Sequence, residues 1–163
     1  MSKYWLCVTT EENWNIIKDK KIWAVKEKDL KKLDKVAIGD PLVFYVKQRA
    51  IEDKIFGPKI GGICMVDSKS FKDSTRVFTN PPAQEKFVYR VNIQPIIANA
   101  ELDFKTIVPK LKFIKNKKKW FLSLQVAMRR IPKEDYDLIT SLAPTLLKKW
   151  AVNLLEKTDR GLC

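Results

Sequence analysis

Basic and aromatic side chains are mixed in one segment of the sequence, between residues 110 and 133. Lysine and arginine attract phosphate groups through their charge, and aromatic rings stack on nucleic-acid bases. The segment therefore predicts a groove that contacts a polyanion, although a solvated basic surface explains these residues equally well. Trp120 and Phe121 directly follow the lysines. The predicted phosphate contacts are Lys112, Lys115, Lys117, Lys118, Lys119 and Arg130.

Two tryptophans flank a second charged stretch, residues 18–21. A tryptophan beside a loop offers a π-face on which a base or a methylated base can stack. Trp23 is the stronger candidate, because Trp14 shares a predicted helical face with Ile17 and is then more typical of a core. Trp5 lies inside an apolar run and is predicted to be core.

Histidine is absent from the chain of 163 residues, which excludes Ser–His and Cys–His pairs and histidine metal sites. No phosphate-binding glycine loop is present, and Gly61 with Gly62 predicts a turn at the head of a strand. Carboxylates such as Asp67, Asp73 and Glu85 give no reason to choose a catalytic pair. We therefore predict a protein that is not an enzyme and that holds no cofactor or metal.

The charge balance points to an anionic partner. Lysine and arginine number 32 against 19 aspartates and glutamates, a net charge of +13. Such a surface fits nucleic acid, but solubility or adaptation to heat can also produce it. The amino terminus lacks a signal-peptide core and no stretch is long enough to span a bilayer, so we expect a cytoplasmic protein without membrane contact.

The three cysteines, Cys7, Cys64 and Cys163, are far apart and odd in number. They indicate neither a zinc site nor a disulfide framework. We expect two buried thiols and one at the terminus.

The elements that must position these residues begin with a buried strand over Lys3–Val8. Thr9 with Glu12 predicts a capping box that starts a short helix. The spacing of Leu30, Leu33 and Val36 predicts a second helix over residues 27–36, and Pro41–Lys47 predicts a strand that is apolar on both faces.

The centre of the chain is predicted to be mostly β. Gln48–Lys59 is polar and contains Gly57 and Pro58, which predicts a mobile loop bordering a binding mouth. Ile60–Val66 and Phe87–Ile97 are predicted strands, separated by the irregular stretch 68–86.

Two helices are predicted near the carboxyl end. Pro132 opens the first, whose apolar stripe contains Tyr136, Ile139 and Leu142. The second begins near Pro144 and packs on this domain or on a partner. Its stripe includes Leu146, Leu147, Trp150, Leu154 and Leu155. These patterns predict an α+β fold, a curved mixed sheet or small barrel surrounded by helices.

The order of several short motifs resembles the EVE domain family of the PUA-like superfamily, which is related to YTH domains. The motifs are, in chain order, YWLCVTTEENWNIIK, IWAV, GDPLVFYV, GGICMV, YRVNIQPI and LKFIKNKKKWFLSLQVAMRRIPKEDYDLI. The resemblance implies an EVE domain over residues 1–142, with residues 143–163 as a helical extension.

The resemblance also implies a PUA-like bent β-barrel with flanking helices and a non-enzymatic pocket for a flipped, modified base. Trp23 matches the first cage tryptophan of YTH relatives, and either Phe78 or Phe87 could replace the second. The resulting base-binding pocket consists of Asn13, Trp14, Trp23, Tyr45, Met128 and Arg129. Asn13 could read a base edge, Tyr45 could close a wall and Arg129 could reach a phosphate.

Three hypotheses follow for the function. The first is a reader of a modified or flipped base in DNA or RNA. The second is an interaction or homodimerisation module that uses the terminal helix. The third is an enzyme that acts on a modified base.

Overall fold

The fold is a curled half-barrel sheet with helices around it, as the sequence predicts. The computed structural model describes residues 2–78 and 85–143. The main sheet has eight strands, six of them in the path β10-β1-β3-β6-β8-β2. These six are β1 (Tyr4–Thr9), β2 (Ile22–Val25), β3 (Pro41–Val46), β6 (Lys59–Val66), β8 (Tyr89–Ile97) and β10 (Met128–Ile131).

Strands β1 and β3 are parallel, and the other neighbours along this path are antiparallel. The short strands β7 (Phe71–Lys72) and β9 (Leu102–Asp103) pair with β8 and β6. A separate hairpin consists of β4 (Arg49–Ile51) and β5 (Lys54–Phe56). The described helices are α1 (Glu11–Lys20), α2 (Leu30–Leu33), α3 (Phe104–Ile107) and α4 (residues 133–143).

The sheet separates two apolar cores. Side chains alternate along a strand, so β1 sends Leu6 and Val8 into one core and Trp5 and Cys7 into the other. The first core is covered by α3 and α4, and the second by α1 and β2. Strand β3 is buried at every position, which confirms the prediction that both of its faces meet apolar groups.

Helix α1 begins one residue later than predicted. Thr10, not Thr9, is its N-cap, and the Thr10 side chain accepts a hydrogen bond from the backbone N–H of Asn13 at 3.2 Å. Thr9 is still the last residue of β1. The helix ends at Lys20, and Lys21 adopts the left-handed conformation that closes many helices.

Three further predictions about local structure are wrong. Residues 49–56 form the β4–β5 hairpin rather than an irregular loop. The predicted helix over 27–36 is a 3₁₀ turn, Glu27–Asp29, followed by the four residues of α2. Gly61 and Gly62 lie inside β6 rather than in a turn.

The remaining predictions concern the cysteines, membrane-spanning helices and the carboxyl end of the chain. Cys7 and Cys64 are buried free thiols, as expected. Within residues 2–78 and 85–143, no helix has both the length and the apolar character needed to cross a membrane. The predicted terminal helix, including Leu146, Trp150 and Leu154, and Cys163 lie outside the described residues.

Candidate functional site

A cavity of about 700 Å³ opens between the start of α1, strand β2 and the loops around residues 78, 87 and 125. Its apolar lining includes Trp23, Phe78, Phe87 and Phe121. Its polar lining includes Thr10, Asn13, Lys26, Lys28, Asp29, Lys32, Lys47 and Gln125. Aromatic walls with a few polar groups are typical of small-molecule and base-binding sites.

Trp23 lies on β2 opposite Val91 of β8 and is 4% exposed. Its ring packs edge-on against Phe44, with ring centroids 5.6 Å apart. The indole Nε1 is buried without a hydrogen-bond partner. Because buried donors are nearly always bonded, this N–H is a candidate for a ligand contact.

Asn13 lies in the first turn of α1, where the Thr10 cap fixes its backbone. The residue is 8% exposed and lines the cavity beside Trp23. Its Oδ1 is a buried acceptor without a partner. Asn13 and Trp23 are thus two cavity-lining residues that each hold one buried, unpaired polar atom, an acceptor and a donor respectively.

Phe78 and Phe87 form an edge-to-face pair, with centroids 5.3 Å apart, and both line the cavity. The Glu85 carboxylate holds them by accepting the backbone N–H groups of Val77, Phe78 and Phe87 at 2.8, 2.9 and 3.2 Å. The sequence left open which phenylalanine belongs to the pocket. Both contribute.

Arg90 joins the two ends of this phenylalanine segment. It is 2% exposed, donates to the carbonyls of Thr75 and Phe87 at 2.7 and 3.0 Å, and lies near the carboxylates of Asp73 and Glu85. Asp73 and Glu85 are thus brought together by a buried arginine. The three side chains form one ion-pair network that links these segments.

Tyr45 lines the cavity from β3, and its ring packs against Phe104 at 4.7 Å. Burial raises the pKa of Tyr45 to about 12, even further above neutral pH than that of an ordinary phenol. The side chain therefore presents a neutral wall.

Three of the predicted pocket residues lie outside the cavity lining. Trp14 is fully buried and packs against Phe44, with centroids 4.9 Å apart. Met128 is fully buried in the second core. Arg129 donates to the carbonyl of Ser123 at 3.1 Å and stacks on Phe113 at 4.9 Å. The structure therefore brings together Asn13, Trp23 and Tyr45 of the predicted set.

The predicted phosphate-binding residues also lie outside the lining, on an exposed surface. Asp135 anchors the start of this surface, because its carboxylate accepts the backbone N–H groups of Lys112 and Phe113 at 2.8 and 2.9 Å. The Lys112 ammonium lies 4.0 Å from Glu134, and Lys117 donates to the carbonyl of Leu111. Phe121, which follows the lysines, reaches the cavity rim.

Sequence reasoning missed the lysines of the cavity. Lys26, Lys28 and Lys32 belong to a stretch that reads as solvated surface, and Lys47 ends a predicted strand. The Lys26 ammonium lies 5.6 Å from the Phe87 ring, and Lys32 donates to the carbonyl of Met128 at 3.3 Å. Asp29, buried among them, was missed as well.

Among the described residues, no cluster of three or more cysteine, aspartate or glutamate side chains could hold a metal ion. The donor set of the cavity, lysine ammonium groups with one carboxylate and two amides, is likewise unsuited to a cation. The cavity is therefore suited to an organic ligand with anionic groups nearby.

Comparison with known families gives a match to the EVE domain over residues 3–142. A UPF0310 protein of Pyrococcus abyssi is 46% identical over 140 residues, which cover 85% of this chain and 98% of the relative. A UPF0310 protein of Saccharolobus solfataricus is 32% identical over 142 residues, covering 83% of this chain and 91% of the relative.

Solved structures share the fold at low sequence identity. The YTH domain-containing protein mmi1, in a complex with RNA, superposes with a TM-score of 0.64 at 17% identity, covering 92% of this chain and 86% of that one. Human THYN1, in complex with DNA that contains 5-methylcytosine, gives a TM-score of 0.57 at 15% identity, covering 87% and 98%.

Proposed function

Because the chain belongs to the EVE domain family and has a PUA-like fold, we propose that it binds nucleic acid and takes one extruded base into the cavity beside Trp23. The observation that carries this proposal is the composition of the cavity. Aromatic rings line it, an unpaired donor and an unpaired acceptor lie at Trp23 and Asn13, and lysines surround them.

The cavity is large enough to admit a base. About 700 Å³ falls within the usual range of roughly 300–1,000 Å³ for ligand pockets. A base leaves the stack at a cost of a few kcal/mol, which stacking on aromatic side chains must repay. Trp23, Phe78 and Phe87 supply such surfaces, and a methyl group on the base would add apolar contact.

Charge supports a nucleic-acid ligand over a free neutral one. The chain carries a net charge of +13, and the cavity lysines would lie near the phosphates on either side of an inserted base. Relatives of the same fold bind RNA, in the case of mmi1, and DNA with 5-methylcytosine, in the case of THYN1. Both DNA and RNA are therefore candidate ligands. The proposed binding involves no chemical reaction of the base.

Replacing Trp23 tests the proposal. We expect Trp23→Ala to weaken binding of short oligonucleotides that carry modified bases by about 1–3 kcal/mol, the usual value of one base–aromatic stack. Binding is measured by fluorescence anisotropy, and thermal unfolding verifies that the variant is folded.

A matched pair of milder variants separates the cavity from the core. Trp23→Phe and Trp14→Phe make the same chemical change in two tryptophans that both contact Phe44, but only Trp23 lines the cavity. Trp23→Phe should weaken oligonucleotide binding and Trp14→Phe should not. Equal affinity of wild type, Trp23→Ala and Trp23→Phe for every modified oligonucleotide would contradict the proposal.

A further inference from the structure

Asp29 is a largely buried residue whose carboxylate has no partner in the described part of the chain. It is 8% exposed and lines the cavity, yet it makes no side-chain hydrogen bond or ion pair within residues 2–78 and 85–143. Asp29 occupies the N-cap position of α2, but its side chain does not cap that helix. Its structural contribution is made through the backbone, where its N–H donates to the carbonyl of Lys26 at 3.0 Å.

Two other buried aspartates show what a structural role looks like in this protein. Asp40 accepts from the backbone N–H groups of Lys3 and Ala37 and from the indole of Trp5, at 2.9–3.2 Å. Asp135 accepts from two backbone N–H groups at 2.8 and 2.9 Å. Both join segments that are distant in sequence. Asp29 joins nothing, so the fold does not explain its burial.

Asp29 has no partner among the described residues, and its oxygens are not among the solvent-inaccessible unpaired atoms, so the carboxylate is open to a ligand in the cavity. The cavity lysines attract this carboxylate at long range, but none of them lies within ion-pair distance of Asp29. A carboxylate repels phosphate, so Asp29 does not belong to a phosphate site. The surrounding lysines oppose a cationic ligand. A neutral group that donates an N–H hydrogen bond is repelled neither by the carboxylate nor by the lysines.

The other unpaired groups of the cavity restrict the ligand further. Asn13 adds a second acceptor, its Oδ1, and Trp23 adds one donor, its Nε1. A complementary base edge therefore offers N–H donors and one acceptor. Cytosine and adenine have such an edge, an exocyclic amino group beside a ring nitrogen, and guanine has one too, an amino group and a ring N–H beside a carbonyl oxygen. Uracil and thymine instead offer one N–H between two carbonyl oxygens, which a carboxylate repels.

We propose that Asp29 is the specificity-determining residue of the cavity, and that it accepts a hydrogen bond from an exocyclic amino group of the base. The site then selects amino-bearing bases over their keto counterparts. This inference rests on the proposed function, since it assumes that a base occupies the cavity. Asp29 thereby determines which bases can enter, while Trp23 provides stacking common to all of them.

The experiment compares bases that differ in one amino or keto group. Single-stranded oligonucleotides with one variable central position carry cytosine or uracil, 5-methylcytosine or thymine, and adenine or hypoxanthine. For whichever pairs bind through Trp23, the wild-type protein should prefer the amino member by roughly tenfold, within the range that one well-formed base contact provides. This comparison needs no variant and therefore does not depend on the folding of one.

Asp29→Asn then assigns the preference to the residue. The carboxamide keeps the shape of the side chain but adds an N–H donor, so the amino preference should disappear or invert towards the keto base. Asp19→Asn removes the same charge from a side chain that is 77% exposed and outside the cavity, and should leave the preference unchanged. Because Asp29 makes no side-chain bond, Asp29→Asn should not lower Tm.

The outcomes distinguish this inference from the proposed function. If Trp23→Ala weakens binding but the wild-type protein binds amino and keto members equally, the inference is wrong and the proposed function stands. A preference that survives Asp29→Asn also overturns the inference, as does a fall in Tm in that variant without a change in preference. If Trp23→Ala leaves binding unchanged for all six oligonucleotides, the proposed function and the inference both fail.

Discussion

The two tryptophans nearest the cavity show how similar residues acquire different roles. Trp14 and Trp23 both pack on Phe44, and both have a buried indole N–H without a partner. Trp23 lines the cavity, whereas the Trp14 ring lies against the backbone of β6. Gly61 and Gly62 make this contact possible, because a Cβ at Gly61 would lie 2.6 Å from the Trp14 Nε1. Gly61 and Gly62 therefore leave the space that the Trp14 ring occupies.

Gly62→Ala tests whether the fold requires this space. The added Cβ would lie 2.4 Å from the carbonyl oxygen of Ile97 and 2.8 Å from the Trp14 ring, and backbone cannot move aside easily. We expect the free energy of unfolding to fall by about 1–3 kcal/mol or more, as overpacking of a core usually costs. Urea unfolding measures it. Met65→Ala, at an exposed position of the same strand, is the control and should change stability little. Equal effects of the two variants would contradict the interpretation.

At the scale of elements, the cavity wall formed by Phe78 and Phe87 depends on the carboxylate of Glu85. Glu85 accepts three backbone N–H groups, and Arg90 bonds carbonyls on both sides of it in sequence. The two phenylalanines thus keep their edge-to-face geometry without a regular element of secondary structure. Binding surfaces that are held before the ligand arrives lose less entropy on binding.

Glu85→Gln should therefore reduce both stability and binding. The amide keeps one acceptor oxygen but replaces the other with a donor that faces backbone N–H groups, which costs about 1–3 kcal/mol. Chemical unfolding and oligonucleotide affinity measure the two effects. The control is Glu134→Gln, which removes the same charge at a side chain that is 63% exposed. If affinity is unchanged while stability falls, Glu85 is structural only.

The elements also show how far the sequence could predict the fold. Strands β1, β3, β6 and β8 are apolar or aromatic runs that a buried sheet requires, and their positions were predictable. The β4–β5 hairpin was missed because its apolar residues Ala50, Ile51 and Ile55 are exposed. The hairpin therefore lacks the buried apolar face whose pattern would identify its strands in the sequence. The spacing of Leu30, Leu33 and Val36 predicted one helix over residues 27–36, but only Leu30–Leu33 is α-helical, and Glu27–Asp29 before it is a 3₁₀ turn.

The candidate site was predictable only in part, for a related reason. Asn13 and Trp23 were found because their types suit base recognition and the family pattern includes them. Asp29 was not predicted, because its burial without a partner is a property of the tertiary structure. Arg129 was expected at the site from its position, yet it lies outside the cavity lining, where its Nη1 donates to Ser123 and its guanidinium stacks on Phe113 while its Nε has no partner among the described residues. Sequence gives residue types, but not which of their bonds are already made.

At the scale of the whole molecule, the positive charge forms two candidate contacts for phosphate. One is the group of lysines around the cavity, Lys26, Lys28, Lys32 and Lys47. The other is the exposed surface that begins at Lys112 and ends near Phe121 at the cavity rim. A strand with one base in the cavity would extend over both. Phosphate contacts release counterions, so their number can be counted from the dependence of affinity on salt.

Paired charge removals distinguish the two contacts. For single strands, the slope of log affinity against log salt changes by about 0.7 for each phosphate contact. Lys26→Gln with Lys28→Gln, and separately Lys118→Gln with Lys119→Gln, should each reduce the slope by about 1.4 if both residues contact phosphate. The control, Lys20→Gln with Lys54→Gln, removes the same charge from exposed side chains outside the cavity lining and should leave the slope nearly unchanged. If only the Lys26 and Lys28 variant has a reduced slope, phosphate binding is limited to the cavity. The exposed surface that begins at Lys112 would then be solvated, because removing Lys118 and Lys119 would not change the number of counterions released on binding. Slopes that match the control in both pairs would contradict both predicted contacts and leave the net charge of the molecule as the source of any remaining salt dependence.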